Sequence, residues 1–203
     1  AYAKELAARI DPNRARPASE IKPGQPQRHE SGQTTHYSVA DRDGDAGAVT
    51  YTLNFAYGSG IVAAGTGILL NNEMDDFAAK PGVPNAYGLI GGDANAVGPG
   101  KRPLSSMTPT LALKDGQPAL ITGSPGGSRI ITTVLQIVAN VVDHRMNVAE
   151  ATLAPRLHHQ WLPDELRIEE GFSPDTVRLL REWGHTVVVK DAMGDTQSIV
   201  RAP

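Results

Sequence analysis

The spacing of apolar and polar residues predicts strands in several separate parts of the chain. Residues 34–54 alternate between the two classes on both sides of the turn sequence DRDGD, which is typical of a β-hairpin. Residues 106–124 alternate in the same way around Asp115-Gly116, so a second hairpin is expected there. Shorter runs predict further strands in GILLNN (67–72), RLHHQWL, LRIEE, TVVVK and TQSIVR.

Three segments predict helices instead, at 128–144, 147–154 and 173–184. The first repeats apolar residues every three or four positions, and its predicted inward face comprises Ile130, Val134, Ile137 and Val141. Asn147 and Ser173 stand where the N-caps of the other two helices are expected. Hairpins on either side of paired helices predict an α+β fold built in layers.

The first 33 residues differ in character from the rest of the chain. Residues 1–11 predict the end of an amphipathic helix that stops at Asp11-Pro12, and residues 12–33 are rich in proline and predict an exposed linker. A start in mid-helix predicts a piece of a longer chain. We therefore expect a tail over 1–33 and a folded part over 34–203.

The composition narrows the possible functions without identifying one. The 203 residues carry a net charge of −3 with a sequence pI of about 6.1 and no cluster of Lys and Arg, so no nucleic-acid partner is expected. There is no cysteine, which excludes disulfides and thiolate chemistry. No apolar run reaches the roughly 18 residues of a membrane span, and the charged first residues do not resemble a signal peptide.

Two loops carry residue types that bind charged groups. Gly126 and Gly127 lead into a predicted helix, whose free N–H groups could hold a carboxylate, a phosphate or an oxyanion; an ordinary glycine turn has the same pattern. Glu73, Asp75 and Asp76 follow a predicted strand. They could bind an ammonium group or a metal ion, although a solvated acidic loop explains the same spacing.

Two further patterns are poor candidates for metal sites. DRDGD (41–45) lacks the glutamate that closes a twelve-residue calcium loop, which favours a simple hairpin turn. His158 and His159 are adjacent in a predicted strand, so their side chains should face opposite sides and not share one ion. No metal site is expected.

Thr34, at the start of the first strand and directly after the linker, permits an unusual kind of catalysis. A threonine hydroxyl is a weak nucleophile without an adjacent base. A chain that begins with threonine supplies that base through its own α-amino group, whose pKa is about 7.7–8.0. This chemistry requires a cut between Gln33 and Thr34. Thr-Thr at a strand start is also favoured simply by β-propensity.

Five long motifs carry the interpretation further: QTTHYSVADRDGDAGAVTYTLN, GILLNNEMDDF, GDANAVGPGKRPLSSMTPT, TGSPGGSRIITTVLQ and APRLHHQWLPDELRIEEGFSPDT. In this order and register they closely resemble the γ-glutamyltranspeptidase family, over almost the whole chain. The resemblance implies the four-layer αββα sandwich of the N-terminal nucleophile hydrolases. Residues 34–203 would be the small catalytic subunit and residues 1–33 the end of the large subunit, separated by self-cleavage at Gln33–Thr34.

The resemblance also implies a role for each matched position. Thr34 would be the nucleophile, Thr52 the hydroxyl that supports it, and the N–H groups of Gly126 and Gly127 the oxyanion hole. The positions implied to hold the glutamyl α-amino and α-carboxylate groups are Asn54, Glu73, Asp76, Ser105 and Ser106. Tyr87, in PNAYGLI, matches a lid loop over the pocket. Some relatives carry glutamine at the position of Glu73.

The implied activity is transfer or hydrolysis of the γ-glutamyl group of glutathione and similar amides, through a γ-glutamyl-threonine ester. The acceptor would be water, an amino acid or a dipeptide, and glutamate a product, with no cofactor and no metal. The implied partner is the large subunit of the same precursor, which contributes an arginine for the α-carboxylate. The family's location implies a periplasmic or secreted protein.

Two alternatives remain open at this point. One is an acylase of the same superfamily that removes a glutaryl side chain from a β-lactam; Glu73 and Asp76 argue against it, because a glutaryl group has no α-ammonium. The other is a catalytically silent fragment. Most of the large subunit is missing, and the sequence stops at IVRAP, before the segment that usually ends the family's small subunit.

Overall fold

The computed structural model describes the chain at residues 10–15, 17, 34–78, 80, 82–83, 91–161 and 163–201. Within these residues, strands and helices are mixed in the way that the predicted α+β class requires, with three small sheets and three α-helices. Gln33 and Tyr87 lie outside the described residues, as does most of the segment 1–33.

The first sheet is the predicted hairpin. Strand β1 (Thr34–Ala40) pairs antiparallel with strand β2 (Ala46–Thr52) along its whole length. The side chain of Asp41 closes the turn, because its Oδ1 accepts the N–H groups of Asp43 and Asp45, each at 2.9 Å. The acidic DRDGD sequence thus serves hairpin geometry.

The second sheet faces the first and is built on the second predicted hairpin. Strands β3 (Thr110–Lys114) and β4 (Gln117–Thr122) pair antiparallel, and strand β8 (Ile199–Val200) joins the other side of β4. Strand β1 packs on β4 and β8, and β2 packs on β3 and β4. Leu120 and Ile121 of β4 are buried in this sandwich.

The residues between β4 and β8 form the third sheet and the three helices. Its strands are β5 (Leu157–His158), β6 (Leu166–Ile168) and β7 (Val187–Val189), with β5–β6 antiparallel and β6–β7 parallel. The helices are α1 (Ile130–Val142), α2 (Val148–Leu153) and α3 (Pro174–Glu182). Helix α1 packs on β4, β5 and α2, and α3 packs on β7.

Local sequence accounts for the starts of two of the helices. Asn147 and Glu150 form a capping box at the start of α2, and the Ser173 side chain accepts the N–H of Thr176 at the start of α3, as predicted. The buried residues of α1 are Ile130, Thr133, Val134 and Ile137. Val141, predicted to continue this face, is only half-buried.

One predicted strand is wrong. The segment GILLNN forms only a single bridge, between Val62 and Leu69, and no regular strand. Gly65 and Gly67 have positive φ, so the chain turns just before this segment and at its first residue. Ile68 and Leu70 still make backbone hydrogen bonds to residues 59–63, but a continuous ladder needs an extended backbone, which the conformation at Gly67 interrupts.

Candidate functional site

Thr34 and Thr52 lie directly opposite each other, at the open end of the β1–β2 hairpin. Opposite residues of an antiparallel pair have Cβ atoms about 4.5–5.5 Å apart and point to the same face, so the two hydroxyls are neighbours. Both threonines are half-buried, whereas Thr35 points to the other face and is exposed. The hairpin register therefore pairs the two predicted catalytic threonines.

The Thr34 end of β1 lies beside the exit of β4. The His36 ring packs on Gly123 so closely that a Cβ built on Gly123 would lie 2.2 Å from the ring Cε1. At the other end of the hairpin, Ala40 and Pro118 line one cavity. Strands β1 and β4 therefore run in opposite directions, so that β1 begins near the site and β4 ends near it. The chain runs from the end of β4 through Gly123 into the Pro-Gly-Gly turn, so that turn is brought towards Thr34.

The glycine turn holds a backbone that only glycine adopts without strain, with φ of 137° at Gly126 and 60° at Gly127. The Gly126 carbonyl accepts the Arg129 N–H at 3.2 Å and the Arg129 Nε–H at 3.3 Å. A trans peptide unit directs its N–H away from its carbonyl, so the Gly127 N–H points in the opposite direction. No acceptor for the N–H of Gly126 or Gly127 lies among the described residues. Two donors at a helix N-terminus suit a negative charge.

Asn54 connects the threonine pair to the acidic segment. It is buried and has φ of 74°, an uncommon conformation that asparagine tolerates better than most residues. Its N–H donates to Thr52 Oγ1 at 2.9 Å, and its Nδ2 donates to the Asn72 carbonyl at 3.0 Å. The Asn72 side chain returns the connection, since its Oδ1 accepts the N–H of Phe55 at 2.9 Å. The residue before Glu73 is thereby tied to the end of β2.

Glu73 and Asp76 form a close acidic pair in the 3-10 helix Glu73–Asp76. Burial, reinforced by the negative charge of Asp76, raises the pKa of Glu73 to about 7. Burial also raises the pKa of Asp76, although its hydrogen bond with Glu73 opposes this shift. Within the described part of the chain, Glu73 Oε1 is buried without a hydrogen-bond partner. Two close carboxylates, one of them with an oxygen that has no hydrogen-bond partner, suit a cation such as an ammonium group.

Asn95 links the acidic pair to the two serines. Its Nδ2 donates to the Asp76 carbonyl at 2.8 Å, and its Oδ1 accepts the Leu104 N–H at 2.9 Å. Ser105 and Ser106 follow immediately, the first exposed and the second half-buried. The backbone that carries both serines is therefore held against the backbone of the acidic segment.

Sequence reasoning did not single out Asn72 and Asn95. Their one signal was that asparagine side chains readily bond to loop backbone, which holds for many asparagines that position nothing. Their importance lies in which distant segments they join, and residue type does not reveal that.

The paired histidines have separate surroundings, as predicted. His158 is buried and bonds Thr132 Oγ1 at 2.7 Å and Gln160 Oε1 at 3.0 Å, whereas His159 is half-buried and lies 3.3 Å from Asp164 Oδ1. Among the described residues, no group of three histidine or acidic side chains is arranged to hold a metal ion. No helix in the described part of the chain is long and apolar enough to cross a membrane.

Sequence comparisons agree with this arrangement. Residues 1–203 match the family described as Gamma-glutamyltranspeptidase. The chain is 68% identical over 203 residues to the Glutathione hydrolase proenzyme of Escherichia coli strain K12, covering 100% of this chain and 35% of that relative. It therefore spans about a third of that relative's length.

Solved structures show the same likeness. The T380A mutant of Helicobacter pylori Gamma-Glutamyltranspeptidase is 60% identical with a TM-score of 0.78, over 82% of this chain and 90% of that chain. A cephalosporin acylase from Bacillus halodurans is 28% identical with a TM-score of 0.65, over 78% of this chain and 28% of that one. The facing sheets and their helices are thus part of the αββα sandwich of the N-terminal nucleophile hydrolases.

Proposed function

Since the chain belongs to the γ-glutamyltranspeptidase family, we propose that residues 34–203 carry the catalytic centre of a glutathione hydrolase. Its substrates would be glutathione and other γ-glutamyl amides, and its acceptors water, amino acids or dipeptides. The observation that carries the proposal is the pairing of Thr34 with Thr52 at the first position of β1. A nucleophile at a new chain start needs that end of the strand to lie at the site.

In the proposed reaction, Thr34 Oγ attacks the γ-amide carbonyl and the Thr34 α-amine takes the hydroxyl proton. The N–H groups of Gly126 and Gly127 stabilise the tetrahedral oxyanion, where one such donor is worth about 2.7–4 kcal/mol of barrier. The amine then gives its proton to the leaving amine, and a γ-glutamyl ester remains on Thr34. Water or an acceptor amine attacks this ester and releases the product.

Selectivity for the glutamyl group would come from its two charges. Glu73 and Asp76 would bind the α-ammonium. Both carboxylates are partly buried, and among the described residues Glu73 Oε1 has no hydrogen-bond partner, which supports this role. Asn54, Ser105 and Ser106 would bind the α-carboxylate region. A site built for paired charges rejects substrates that lack them, because its polar groups would stay unpaired. Tyr87 would close the pocket as part of a lid.

The chain would act as part of a longer proenzyme. The Escherichia coli relative is about three times as long, whereas the solved Helicobacter pylori chain is 90% covered by this one. The covered share of this chain, 82%, is close to the share that residues 34–203 represent. Both support a cut at Gln33–Thr34, with residues 1–33 ending the large subunit and the two products forming a heterodimer. We propose export to the periplasm or beyond.

The decisive experiment replaces Thr34 in the full-length proenzyme. Thr34→Ala should remain uncut and inactive, because both self-cleavage and acyl transfer use its hydroxyl. The matched control is Thr35→Ala, whose exposed side chain lies on the other face of β1. That variant should be cut and active. Intact mass and release of p-nitroaniline from γ-glutamyl-p-nitroanilide measure both; a Thr34→Ala protein that still splits before residue 34 would refute the proposal.

The same assay separates this function from that of an acylase. A glutaryl group lacks the α-ammonium that Glu73 and Asp76 would bind, so glutaryl-p-nitroanilide should be hydrolysed far more slowly than γ-glutamyl-p-nitroanilide. Equal kcat/KM for the two anilides would assign the site to the acylase class.

A further inference from the structure

The hydroxyl of Ser124, just before the glycine turn, is fully buried and has two hydrogen-bond partners. It accepts the N–H of Asp195 at 2.9 Å and donates to the carbonyl of Pro125 at 2.7 Å. A hydroxyl has a single proton, and the Asp195 N–H occupies the acceptor side, so the proton is committed to the Pro125 carbonyl.

That carbonyl belongs to the same peptide unit as the Gly126 N–H. The unit is planar and trans, so holding the carbonyl on one side directs the N–H to the other. The two neighbouring torsions, at Pro125 ψ and Gly126 φ, are the ones that would rotate this unit, and glycine opposes such rotation least. A rotated unit would turn its carbonyl oxygen towards the site and repel an oxyanion. We propose that Ser124 is a positioning residue that aims the Gly126 N–H at the reacting carbonyl; this rests on the function proposed above.

The segment that supports Ser124 packs directly on the turn. A Cβ built on Gly194 would lie 2.5 Å from Ser124 Oγ and 3.0 Å from Thr133 Cγ2, so the Gly194 backbone touches both. A Cβ built on Gly126 would lie 3.6 Å from Gly194 Cα, which is ordinary van der Waals contact. No side chain separates the two backbones, and the Asp195 N–H is thereby delivered to Ser124.

A buried ion pair holds this segment in turn. Glu169 Oε1 accepts the Met193 N–H, and Arg156 Nη1 donates to the Met193 carbonyl at 3.1 Å. Arg156 and Glu169 are each 8% exposed and lie 3.5 Å apart. Both polar groups of the Met193 backbone are thus fixed from the third sheet, which fixes the path of the next two residues.

The test compares Ser124→Ala with Ser198→Ala in the full-length proenzyme. Ser198 is half-buried and its Oγ bonds the buried Thr122 Oγ1 at 2.7 Å, so its loss also removes a hydroxyl–hydroxyl hydrogen bond but leaves the turn unchanged. Ser124→Ala should lower kcat by about tenfold or more and leave KM nearly unchanged, because its effect is felt in the transition state. Ser198→Ala should keep kcat.

A second readout separates aiming from general loosening. A γ-boronic acid analogue of glutamate forms a tetrahedral adduct with the nucleophile, so Ser124→Ala should weaken its binding by about the same factor as kcat. Inhibition by glutamate, which makes no such adduct, should not change. Both serine variants should lower the melting temperature by similar amounts.

Three outcomes would overturn the inference while leaving the proposed function in place. These are an unchanged kcat in Ser124→Ala, a loss confined to KM, and unchanged boronate binding. If Ser124→Ala yields no cleaved enzyme, Ser124→Cys keeps a weaker donor and should have kcat reduced about threefold or more; an unreduced kcat there would be equally fatal. Failure of the proposed function differs, because the unsubstituted proenzyme would then not hydrolyse γ-glutamyl-p-nitroanilide.

Discussion

At the scale of single residues, Glu73 differs from an ordinary surface carboxylate. Its pKa of about 7 means that the group holds a proton below neutral pH, because burial and Asp76 both disfavour a second negative charge. An ammonium group between the two side chains would offset the repulsion from Asp76 and favour the ionised form of Glu73. Binding of a γ-glutamyl substrate should therefore expel this proton, which links substrate affinity to pH.

We predict that KM rises about three- to tenfold as pH falls from 8 to 6, because Glu73 is mostly ionised at the first pH and mostly protonated at the second. The sign follows from the raised pKa: affinity is full above about 7 and is lost as pH falls through it. Glu73→Gln should raise KM at pH 8 and remove most of this dependence. Initial-rate kinetics with γ-glutamyl-p-nitroanilide measure it.

Asp75→Asn is the control for the pH prediction. Asp75 belongs to the same short helix but is exposed and bonded to Asn72 Nδ2 at 2.8 Å, and its charge raises the pKa of Asp76 rather than that of Glu73. Its replacement should leave the slope of KM against pH in place. A Glu73→Gln enzyme with the original slope would assign the titration to another group.

At the scale of elements, the first hairpin packs against the end of β4 through the buried side chain of His36. His36 bonds Thr50 Oγ1 at 2.8 Å and Ser38 Oγ at 3.1 Å, and Ser38 donates its own proton to the Gln197 carbonyl. Because the Ser38 proton is used, His36 Nε2 must donate to Ser38; in the neutral imidazole, Nδ1 then accepts the Thr50 hydroxyl proton. Burial lowers the pKa of His36 and favours that form. The strand that begins with Thr34 is thus held by a polar contact to the facing sheet.

We predict that Gly123→Ala destabilises the protein by about 1–3 kcal/mol, because the new Cβ would overlap the rigid His36 ring. The hairpin would have to move, so kcat should fall as well. Gly92→Ala is the control, since a Cβ there meets nothing within 4 Å and its φ of −91° is ordinary. Denaturant unfolding and anilide hydrolysis measure both effects; equal stability of the two variants would contradict the prediction.

At the scale of the whole molecule, the Arg156–Glu169 pair, beside β5 and β6 of the third sheet, bonds the backbone of Met193. The next residue, Gly194, packs against the turn that follows β4. Arg156 also bonds the Thr152 carbonyl at the end of α2, and Glu169 Oε2 accepts the Arg156 N–H at 2.9 Å. A buried ion pair adds little net stability, but removal of one partner leaves the other charge buried without a counter-charge, which is strongly destabilising. Loss of either side chain should therefore disturb every segment that the pair connects.

We predict that Glu169→Ala lowers the free energy of unfolding by about 3–5 kcal/mol, because Arg156 would remain buried without its counter-charge. Glu182→Ala is the control: Glu182 Oε1 also pairs with an arginine, Arg178, at 2.8 Å, but on the exposed surface of α3. Its unfolding should be unchanged. Similar losses in both variants, measured by denaturant unfolding, would show that burial of the pair does not decide the effect.

The sequence by itself determined the parts that follow a local rule. Both hairpins, the capped starts of α2 and α3 and the separation of His158 from His159 were predictable, because side-chain alternation, capping and turn chemistry act over a few residues. The motif positions also identified the family. The failed strand at 67–72 marks the limit of such rules, since apolar content does not show where a glycine with positive φ interrupts the extended backbone.

Only the tertiary structure decided which distant residues meet. Ser124 bonds Asp195, and Gly123 packs against His36, although long stretches of chain without a periodic signal separate the members of each pair. Such contacts depend on how whole layers pack, and packing sums many weak interactions that no single residue encodes. For this reason the candidate nucleophile, Thr34, could be named from the sequence. The contacts by which Ser124 is proposed to orient the Gly126 N–H could be seen only in the folded chain.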